Sequence, residues 1–230
     1  MPVLRRFFFD DGSSRKHWNV KQRGKTQTVS YGRLGAKLRI AEKTFDSPTA
    51  ARENTAKLIG DKLRAGYVEV DPSALTLKRP PRIRSATTAA IRGLEKSIGA
   101  PLPVEYRKFL QTQNGGQPEP GFVAIPGIPH IANVDAGFIY GLYPSERPGQ
   151  SLSWGIKNHS PVLPAGHLPI AYGGDIFTIA LKKNAGCVFY WDHENADEET
   201  GRFVERDGHL LAGSFDEFLT RIAMYSSEDD

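Results

Sequence analysis

The alternation of apolar and polar residues divides the chain into a first part made mostly of strands and a second part that opens with helices. Apolar and polar residues alternate around Trp18 and Val20, and again from 27 to 31, with Arg23-Gly24 between the two runs. This period predicts a hairpin, because successive side chains point to opposite faces of a strand. The segments 38–45 and 67–70 predict two further strands.

A helix is predicted between those last two strands. Ser47 is a favourable N-cap, and Pro48 suits the first helical turn, where its missing N–H has no partner to lose. Gly66 is expected to end the helix. The residues expected to face the sheet recur with the helical period: Ala51, Thr55, Leu58, Ile59 and Leu63. The first part is therefore predicted as a small antiparallel sheet plus one helix.

The second part is predicted as an antiparallel sheet flanked by helices, which places the whole chain in the α+β class. One helix is expected at 91–98 and another after Pro103, and Asn114-Gly115-Gly116 is expected to end the second. Continuous apolar runs at 176–181 and 187–191 predict buried strands. We also expect a hairpin between 202–206 and 209–211, turning at Asp207-Gly208, and a final helix with a Ser214–Glu217 capping box.

A segment rich in proline and basic residues, 71–85, predicts a solvated linker between a first domain at 1–70 and a second at 86–230. The charge changes sign at the same place. Residues 1–84 carry 19 Lys and Arg against 8 Asp and Glu, a net +11, and the remainder carries 11 against 18, a net −7. Such a split indicates two surfaces with different partners.

The composition excludes several classes of protein. Aliphatic and aromatic residues make up 39% of the 230-residue chain, which is enough for a buried core. No apolar run reaches the roughly 18 residues of a membrane span, and acidic residues interrupt the apolar stretch near the start. We therefore expect neither a membrane segment nor a signal peptide. Cys187 is the only cysteine, which excludes a disulfide framework and favours a cytoplasmic protein.

One motif stands out in the first part. Tyr31-Gly32-Arg33 lies between two predicted strands and is followed by the Ser47-Pro48 helix and by Gly66-Tyr67-Val68-Glu69. Over about residues 3–70, this order and spacing resemble the WGR domain, which is named for a Trp-Gly-Arg triplet. The resemblance implies nucleic-acid binding, since this domain binds DNA ends in poly(ADP-ribose) polymerases. Tyr31 replaces the signature tryptophan and provides a smaller aromatic platform.

The residue chemistry of the first part also favours nucleic acid as a partner. Arg33 presents a planar fork of N–H donors that suits phosphate oxygens. We expect the contacts to come from an aromatic residue, a glycine and seven cations: Lys21, Arg23, Lys25, Tyr31, Gly32, Arg33, Lys37, Arg39 and Lys43. The alternative is that Tyr31 packs in the core and the cations only solvate a small domain.

A second series of motifs runs through the rest of the chain. It begins with the segments 94–99, 102–106 and 109–110 and with Asn114-Gly115-Gly116, and it continues with the segments 140–142, 170–175 and 188–194. Over about residues 86–226 these motifs resemble the SUKH superfamily, which includes the Smi/Knr cell-wall regulators and many bacterial immunity proteins. The resemblance implies an α+β fold and a non-enzymatic protein that binds and neutralises a toxin, often a nuclease.

An acidic surface suits that role, because a nuclease active site is basic and attracts an acidic partner. We expect the partner to contact one aromatic residue, one histidine and six carboxylates: Asp175, Trp191, Asp192, His193, Glu194, Asp197, Glu198 and Glu199. The alternative for each carboxylate is a solvated turn or strand end.

The residues give little support for catalysis. Asp192-His193-Glu194 suits acid–base chemistry, but no nucleophile, metal-ligand pair or cofactor loop accompanies it. The six histidines lack metal-ligand spacing, and Cys187 lies in an apolar run where a thiol is inert. We therefore predict no enzyme activity, no catalytic residue, no metal and no cofactor.

The leading hypothesis is an immunity protein whose acidic domain captures a cognate toxin, while the basic domain contacts nucleic acid or a second part of that toxin. The alternative is a nucleic-acid-associated regulator or DNA-damage adaptor whose acidic domain recruits a protein partner. The opposite charges also leave open that the two domains bind each other.

Overall fold

The structure is a computed structural model that describes residues 4–119, 121–128 and 131–225. The chain divides into two compact units, Met1–Asp71 and Pro72–Asp230. Each unit contains an antiparallel five-stranded sheet, and the described residues form five α-helices, so the predicted α+β class is confirmed. None of these helices is long and apolar enough to cross a membrane.

The first unit is a five-stranded sheet with one helix. Its strands are β1 (Leu4–Asp10), β2 (Arg15–Arg23), β3 (Thr26–Arg33), β4 (Arg39–Thr44) and β5 (Val68–Glu69), and the helix is α1 (Pro48–Arg64). The strands lie in the order β4-β3-β2-β1-β5. The predicted hairpin is confirmed as β2–β3, and the apolar start of the chain adds β1, which pairs with both β2 and β5.

The start of α1 is confirmed as predicted. The Ser47 hydroxyl accepts a hydrogen bond from the Ala50 N–H at 3.0 Å. Ala51 and Ile59 on the predicted inner face are buried, whereas Leu63 is 47% exposed. The core of the unit therefore lies between α1 and one face of the sheet and consists of Phe7, Trp18, Val20 and Ile59, with half-buried Val29, Leu58 and Tyr67 packed against it.

The second unit is built on a sheet in the order β10-β11-β12-β13-β14, formed by β10 (Phe138–Ile139), β11 (His167–Tyr172), β12 (Ile176–Ala180), β13 (Val188–Trp191) and β14 (His209–Ala212). Its helices are α2 (Thr88–Ile98), α3 (Val104–Thr112), α4 (Leu152–His159) and α5 (Phe215–Tyr225). Two smaller pairs complete it: β6 (Thr76–Lys78) with β7 (Gln117–Glu119), and β8 (Phe122–Ala124) with β9 (Asn133–Asp135).

The two central strands of this sheet are buried on both faces. Phe177 and Tyr190 point into the main core with α3 and α5, and the alternate residues Phe189 and Trp191 point into a smaller core with Phe203. A strand that is covered on both sides is apolar at every position rather than at every second one. This arrangement explains the two continuous apolar runs and confirms the strands predicted from them.

The predicted end of one helix and the predicted N-cap of another are confirmed in the second unit. Asn114, Gly115 and Gly116 all have positive φ and end the segment that contains α3. Ser214 caps α5 by accepting the Glu217 N–H at 3.2 Å. The Glu217 carboxylate accepts the Gly213 N–H at 3.0 Å, one residue earlier than a standard capping box requires.

The segment 71–85 is more ordered than a solvated linker. Pro72–Ala74 forms a 3₁₀ turn, and β6 pairs with β7 of the second unit. Arg79 donates from Nη2 to the Thr112 carbonyl at 2.9 Å. Most of the segment is therefore held against the second unit, because its backbone groups find strand partners despite the prolines nearby.

The predicted hairpin at Asp207-Gly208 is wrong. Residues Glu205–Asp207 form a 3₁₀ turn, and β14 pairs with β13 instead of with residues 202–206. Gly208 has φ −75°, and a Cβ at this position would lie 2.7 Å from a ring carbon of Trp191. The glycine is therefore needed because the chain passes close to a buried indole, not because a tight turn needs positive φ.

Candidate nucleic-acid groove and acidic loop

A groove of about 750 Å³ opens in the first unit beside α1. It is bounded by β2, β3 and β4, by the loop between β3 and β4, and by one side of the helix. The side chains that give it chemical character are basic or aromatic: Lys16, Trp18, Tyr31, Arg33, Lys37, Arg39, Lys62 and Tyr67. We call this site the basic groove.

Strand register brings these side chains together. Tyr31 of β3 lies opposite Trp18 on one side and Arg39 on the other, and Arg33 lies opposite Lys16. Directly paired residues of neighbouring strands share a face, so all five point to the side of the sheet that carries α1. Trp18 is 4% exposed beneath the helix, whereas Tyr31 is 42% exposed at the groove.

Gly32 lets the loop after β3 close over the end of the strand. A Cβ at Gly32 would lie 3.1 Å from Leu38 Cδ2 and 3.5 Å from Leu38 Cα. The loop is tied down at its start, where the Leu34 N–H donates to the Arg15 carbonyl at 2.9 Å. The glycine of the triplet therefore serves close packing, which brings Lys37 into the wall of the groove.

The cations of the basic groove are not neutralised by neighbouring carboxylates. Among the residues that the structure describes, Lys16, Arg33, Lys37, Arg39 and Lys62 form no ion pair. The Lys62 ammonium lies 4.5 Å from the centre of the Tyr67 ring, a cation–π contact. A concave surface lined by unpaired cations concentrates positive potential, and aromatic rings beside them suit stacking of sugars or bases.

The predicted nucleic-acid residues separate into groups. Tyr31, Gly32, Arg33, Lys37 and Arg39 all line the basic groove. Lys43 lies on the same face of the sheet but farther along β4, opposite Gln27. The other three are elsewhere: Lys21 and Arg23 point to the opposite face, opposite Thr28 and Thr26, and Lys25 lies in the turn between β2 and β3.

Sequence reasoning missed two basic residues of this site. Lys16 is two residues before Trp18, so the period of a strand puts both on one face. Lys62 follows Leu58 by one helical turn, and both line the groove. The first signal was present in the sequence, but Lys62 joins the site only because α1 packs across the sheet.

In the second unit, the loop that follows β13 carries most of the predicted acidic residues. We call residues 192–199 the acidic loop. Asp175 anchors its start: Oδ1 accepts the His193 backbone N–H at 3.0 Å and lies 2.7 Å from His193 Nδ1, while Oδ2 accepts the Tyr190 hydroxyl at 2.7 Å. Asp192 Oδ1 accepts the Glu194 N–H at 3.0 Å. The side chains of Asp175 and Asp192 are 15% and 13% exposed, so both hold the loop in shape more than they present charge.

The far end of the acidic loop presents its charge outward. Asp197 Oδ1 accepts the Thr200 N–H at 2.8 Å and its hydroxyl at 2.6 Å, and these hydrogen bonds lower the pKa of the Asp197 carboxyl. The exposed carboxylates of the loop are Glu194, Asp197, Glu198 and Glu199. Four negative charges within six residues therefore lie on a loop whose two ends are fixed by hydrogen bonds.

Trp191 does not belong to this surface. Its side chain is fully buried, its Nε1–H donates to Thr178 Oγ1 at 2.9 Å, and its ring packs against His167 and Phe203. The prediction that Trp191 contacts a partner is corrected, because an indole with its one donor satisfied inside the core has no surface to offer. It belongs instead to the smaller core of the second unit, together with Phe189 and Phe203.

A cluster of three possible metal-ligating side chains lies at the start of the loop. Each offers one oxygen or nitrogen atom, and these atoms lie within 4.8 Å of one another: Asp175, Asp192 and His193. The hydrogen bond to Asp175 raises the pKa of His193, so the imidazole and the carboxylate favour an ion pair. The backbone and side-chain hydrogen bonds described above already use these atoms. The cluster is therefore explained by the shape of the loop.

Cys187 offers no nucleophile at neutral pH. Burial raises the pKa of its thiol to about 11, and the nearby Glu217 carboxylate adds to this effect. Since the thiolate is the reactive species, the protonated thiol behaves as a small core residue.

Similar proteins are found for each unit separately. Protein YehF and the uncharacterized protein YfeS, both of Escherichia coli, are 36% identical over 66 residues and 34% identical over 70 residues, covering 29% and 30% of this chain. The chain spans only 24% and 28% of their lengths. The SPbeta prophage-derived uncharacterized protein YokK of Bacillus subtilis is 26% identical over 145 residues, covering 58% of this chain and 72% of YokK.

A crystal structure of a Bacteroides fragilis protein is 30% identical, with a TM-score of 0.29, and covers 41% of this chain and 26% of that one. Residues 3–74 match the model of the WGR domain, which confirms the resemblance carried by Tyr31-Gly32-Arg33. Residues 85–221 match the model of the SMI1/KNR4 family, SUKH-1. The chain therefore belongs to the SMI1/KNR4 family of immunity-like domains and carries an N-terminal WGR domain.

Proposed function

We propose that this protein is a non-enzymatic immunity protein that uses its acidic loop to bind and neutralise a basic toxin, with a nuclease as the expected class. The observation that carries the proposal is the cluster of exposed carboxylates at Glu194, Asp197, Glu198 and Glu199 on a loop fixed at both ends. A nuclease must hold phosphates with cations, so an acidic surface both attracts and covers its active site.

The rigidity of the acidic loop supports tight binding. Asp175 and Asp192 fix the start of the acidic loop, and Asp197 fixes the turn at its far end. Phe203, which follows the loop in the chain, packs on buried Trp191. Ordering a flexible loop on binding would cost conformational entropy, and a loop already held in one shape avoids that cost. The charges therefore meet a partner in a prearranged pattern.

The WGR domain would add a second contact to this function. We propose that its basic groove binds nucleic acid, with Arg33 on a phosphate and Tyr31 stacked on a sugar or base. Support comes from five cations without ion pairs and from the exposed ring of Tyr31 in one concave site. The acidic loop would then contact the nuclease directly, while the basic groove contacts the nucleic acid to which the nuclease is bound.

The experiment is co-expression of the full chain with each candidate toxin encoded by a neighbouring gene, followed by capture of the full chain from the cell. Neutralisation predicts that growth is restored and that the toxin is recovered in a stoichiometric complex. Reversal of charge at Glu198 and Glu199 should abolish rescue, while the same reversal at Glu146 outside the loop should leave it intact. Failure of the wild-type chain to restore growth or to bind the toxin would contradict the proposal.

The basic groove also favours a second candidate function, a nucleic-acid-associated regulator or DNA-damage adaptor that recruits a protein through its acidic loop. The two functions differ in what the nucleic-acid contact does. An immunity protein needs the acidic loop for rescue and tolerates loss of Arg33. An adaptor should lose its cellular activity when either Arg33 or the acidic loop is changed, and it should rescue no toxin.

A further inference from the structure

The outer strand of the WGR sheet extends the basic groove beyond the Tyr31-Gly32-Arg33 triplet. β4 is the terminal strand of the sheet, and all six of its residues are exposed. Arg39, Ala41 and Lys43 alternate along it and lie opposite Tyr31, Val29 and Gln27, which places them on the face of the basic groove. We call these three residues the β4 strip.

The β4 strip is an open path between two positive ends. Arg39 and Lys43 are four residues apart, which corresponds to about 13 Å along a strand. Ala41 between them is the smallest side chain of the row and lines the groove. Glu42 is the only carboxylate on β4, and it points to the opposite face, where it contacts Thr28 Oγ1 at 3.4 Å.

The far end of the β4 strip combines cations with an aromatic ring. The Lys43 ammonium lies 4.8 Å from the centre of the Phe45 ring. The Phe45 N–H donates to the Lys25 carbonyl at 3.0 Å, which fixes the turn that carries Lys25 next to the end of β4. The same pairing of ring and cation occurs at Tyr67 and Lys62 in the groove itself.

We propose that the β4 strip binds a single-stranded extension of the nucleic acid whose end occupies the basic groove. This inference rests on the nucleic-acid function proposed above and adds the form of ligand that the domain prefers. A groove of about 750 Å³ has room for a nucleotide or two at the end of a strand. The β4 strip is a positively charged track with an aromatic ring near each end, Tyr31 opposite Arg39 and Phe45 beside Lys43, and such tracks hold single strands without reading sequence.

The test is fluorescence anisotropy of the full chain at low salt with labelled duplexes that carry single-stranded extensions of zero, two, four and six nucleotides. Affinity should rise by about tenfold from the blunt duplex to the longer extensions and then level off. Lys43→Ala should remove this gain and should lower the affinity for the blunt duplex much less than the affinity for the longer extensions. Lys57→Ala, which removes an exposed lysine of α1 that does not line the groove, is the matched control and should leave the gain intact.

Four results would count against the inference, and they point to different causes. Equal affinity for every extension would contradict binding of a single-stranded extension by the β4 strip, and so would a loss on Lys43→Ala that is the same at all lengths. Neither result would contradict nucleic-acid binding by the basic groove. A loss of the gain in Lys57→Ala as well would mean that overall charge and not the strip is responsible. Absence of wild-type binding to any of these nucleic acids would contradict the proposed function of the groove itself.

Discussion

Tyr31 lies directly opposite Trp18 across the pair of strands β2 and β3, and only Tyr31 reaches the surface. The two rings occupy neighbouring positions on one face of the sheet, but α1 covers Trp18 and leaves Tyr31 at the mouth of the groove. The aromatic contact expected of the WGR triplet is therefore available to a ligand, although the signature tryptophan is replaced.

Replacing Tyr31 should change nucleic-acid affinity without changing stability. Tyr31→Ala removes the exposed ring and should weaken binding by roughly 1–3 kcal/mol, the contribution of one stacked base. Tyr31→Trp should strengthen binding, because the larger ring restores stacking area. Ile40→Ala on the opposite face of the sheet, where Ile40 is 74% exposed, is the control. Anisotropy titration measures the effect, and equal affinity of Tyr31→Ala and wild type would exclude stacking at this position.

Arg33 should contribute one phosphate contact. Arg33→Ala should weaken binding to all sequences alike and should lower the slope of log affinity against log salt concentration by about one unit, because one fewer counterion is released. Arg52→Ala, an exposed arginine of α1 outside the groove, should leave the slope unchanged. The measurement is a titration at several salt concentrations. A slope that is the same in Arg33→Ala and wild type would show that Arg33 touches no phosphate.

Charge reversal on the acidic loop should slow association with the toxin. Glu198→Lys combined with Glu199→Lys should lower the association rate constant by about tenfold or more at low salt and much less at high salt, since exposed charges steer the encounter. Stopped-flow mixing with the toxin identified by co-expression gives the rate. Circular dichroism should be unaltered, because both side chains are exposed. An association rate that does not change would remove these glutamates from the interface.

The ion pair between Glu217 and Arg221 of α5 should be needed for folding of the second domain. Arg221 donates from Nη2 to Glu217 Oε1 at 2.9 Å, and the two side chains are 7% and 2% exposed. Arg221→Met should destabilise the protein by about 3–5 kcal/mol, because it leaves a buried carboxylate without its counter-charge. Arg206→Met, at a side chain that is 89% exposed, is the control. Urea unfolding tests this, and a loss below about 1 kcal/mol would contradict it.

His159 and His167 should each oppose folding as the pH drops below neutral, whereas His193, whose pKa is raised by Asp175, acts in the opposite direction. Burial lowers the pKa of His159 and His167 below the ordinary value of about 6.5, so the folded protein keeps both rings neutral. Their contribution is complete above pH 6.5 and is lost below it, because only the unfolded chain then takes up protons. His159→Phe keeps a ring between Tyr140 and Tyr172 and should flatten the decline. Urea midpoints between pH 7.5 and 5.5 measure it, and parallel curves for variant and wild type would exclude His159.

Local signals predicted much of the fold. The β2–β3 hairpin, the Ser47 cap of α1 and the two buried strands of the second unit all follow from short-range patterns of residues. The same reasoning failed at Asp207-Gly208, a favoured hairpin dipeptide, because Gly208 is selected by its contact with Trp191 and not by the turn. That contact joins residues on different strands, and no short segment of the sequence contains it.

The sequence predicted many of the residues at the candidate sites but not how those residues are arranged in space. The triplet residues, Lys37 and Arg39 line one groove, which their closeness in the sequence favours. Lys62 was missed because α1 brings it to the groove from thirty residues away, and Lys21 and Arg23 point to the other face. Trp191 was expected among the partner contacts next to the acidic residues, but the smaller core buries it.

The sequence by itself determined that the chain has two domains of opposite charge, that the first resembles the WGR domain and the second the SUKH superfamily, and which segments carry the basic and acidic residues. These properties depend on composition and on spacings of a few residues. Only the tertiary structure decided which cations share a groove, which carboxylates hold the acidic loop and which ones face outward. The reason is physical: burial, register and the partner of each hydrogen bond depend on residues far apart in the chain, which only the folded sheets bring into contact.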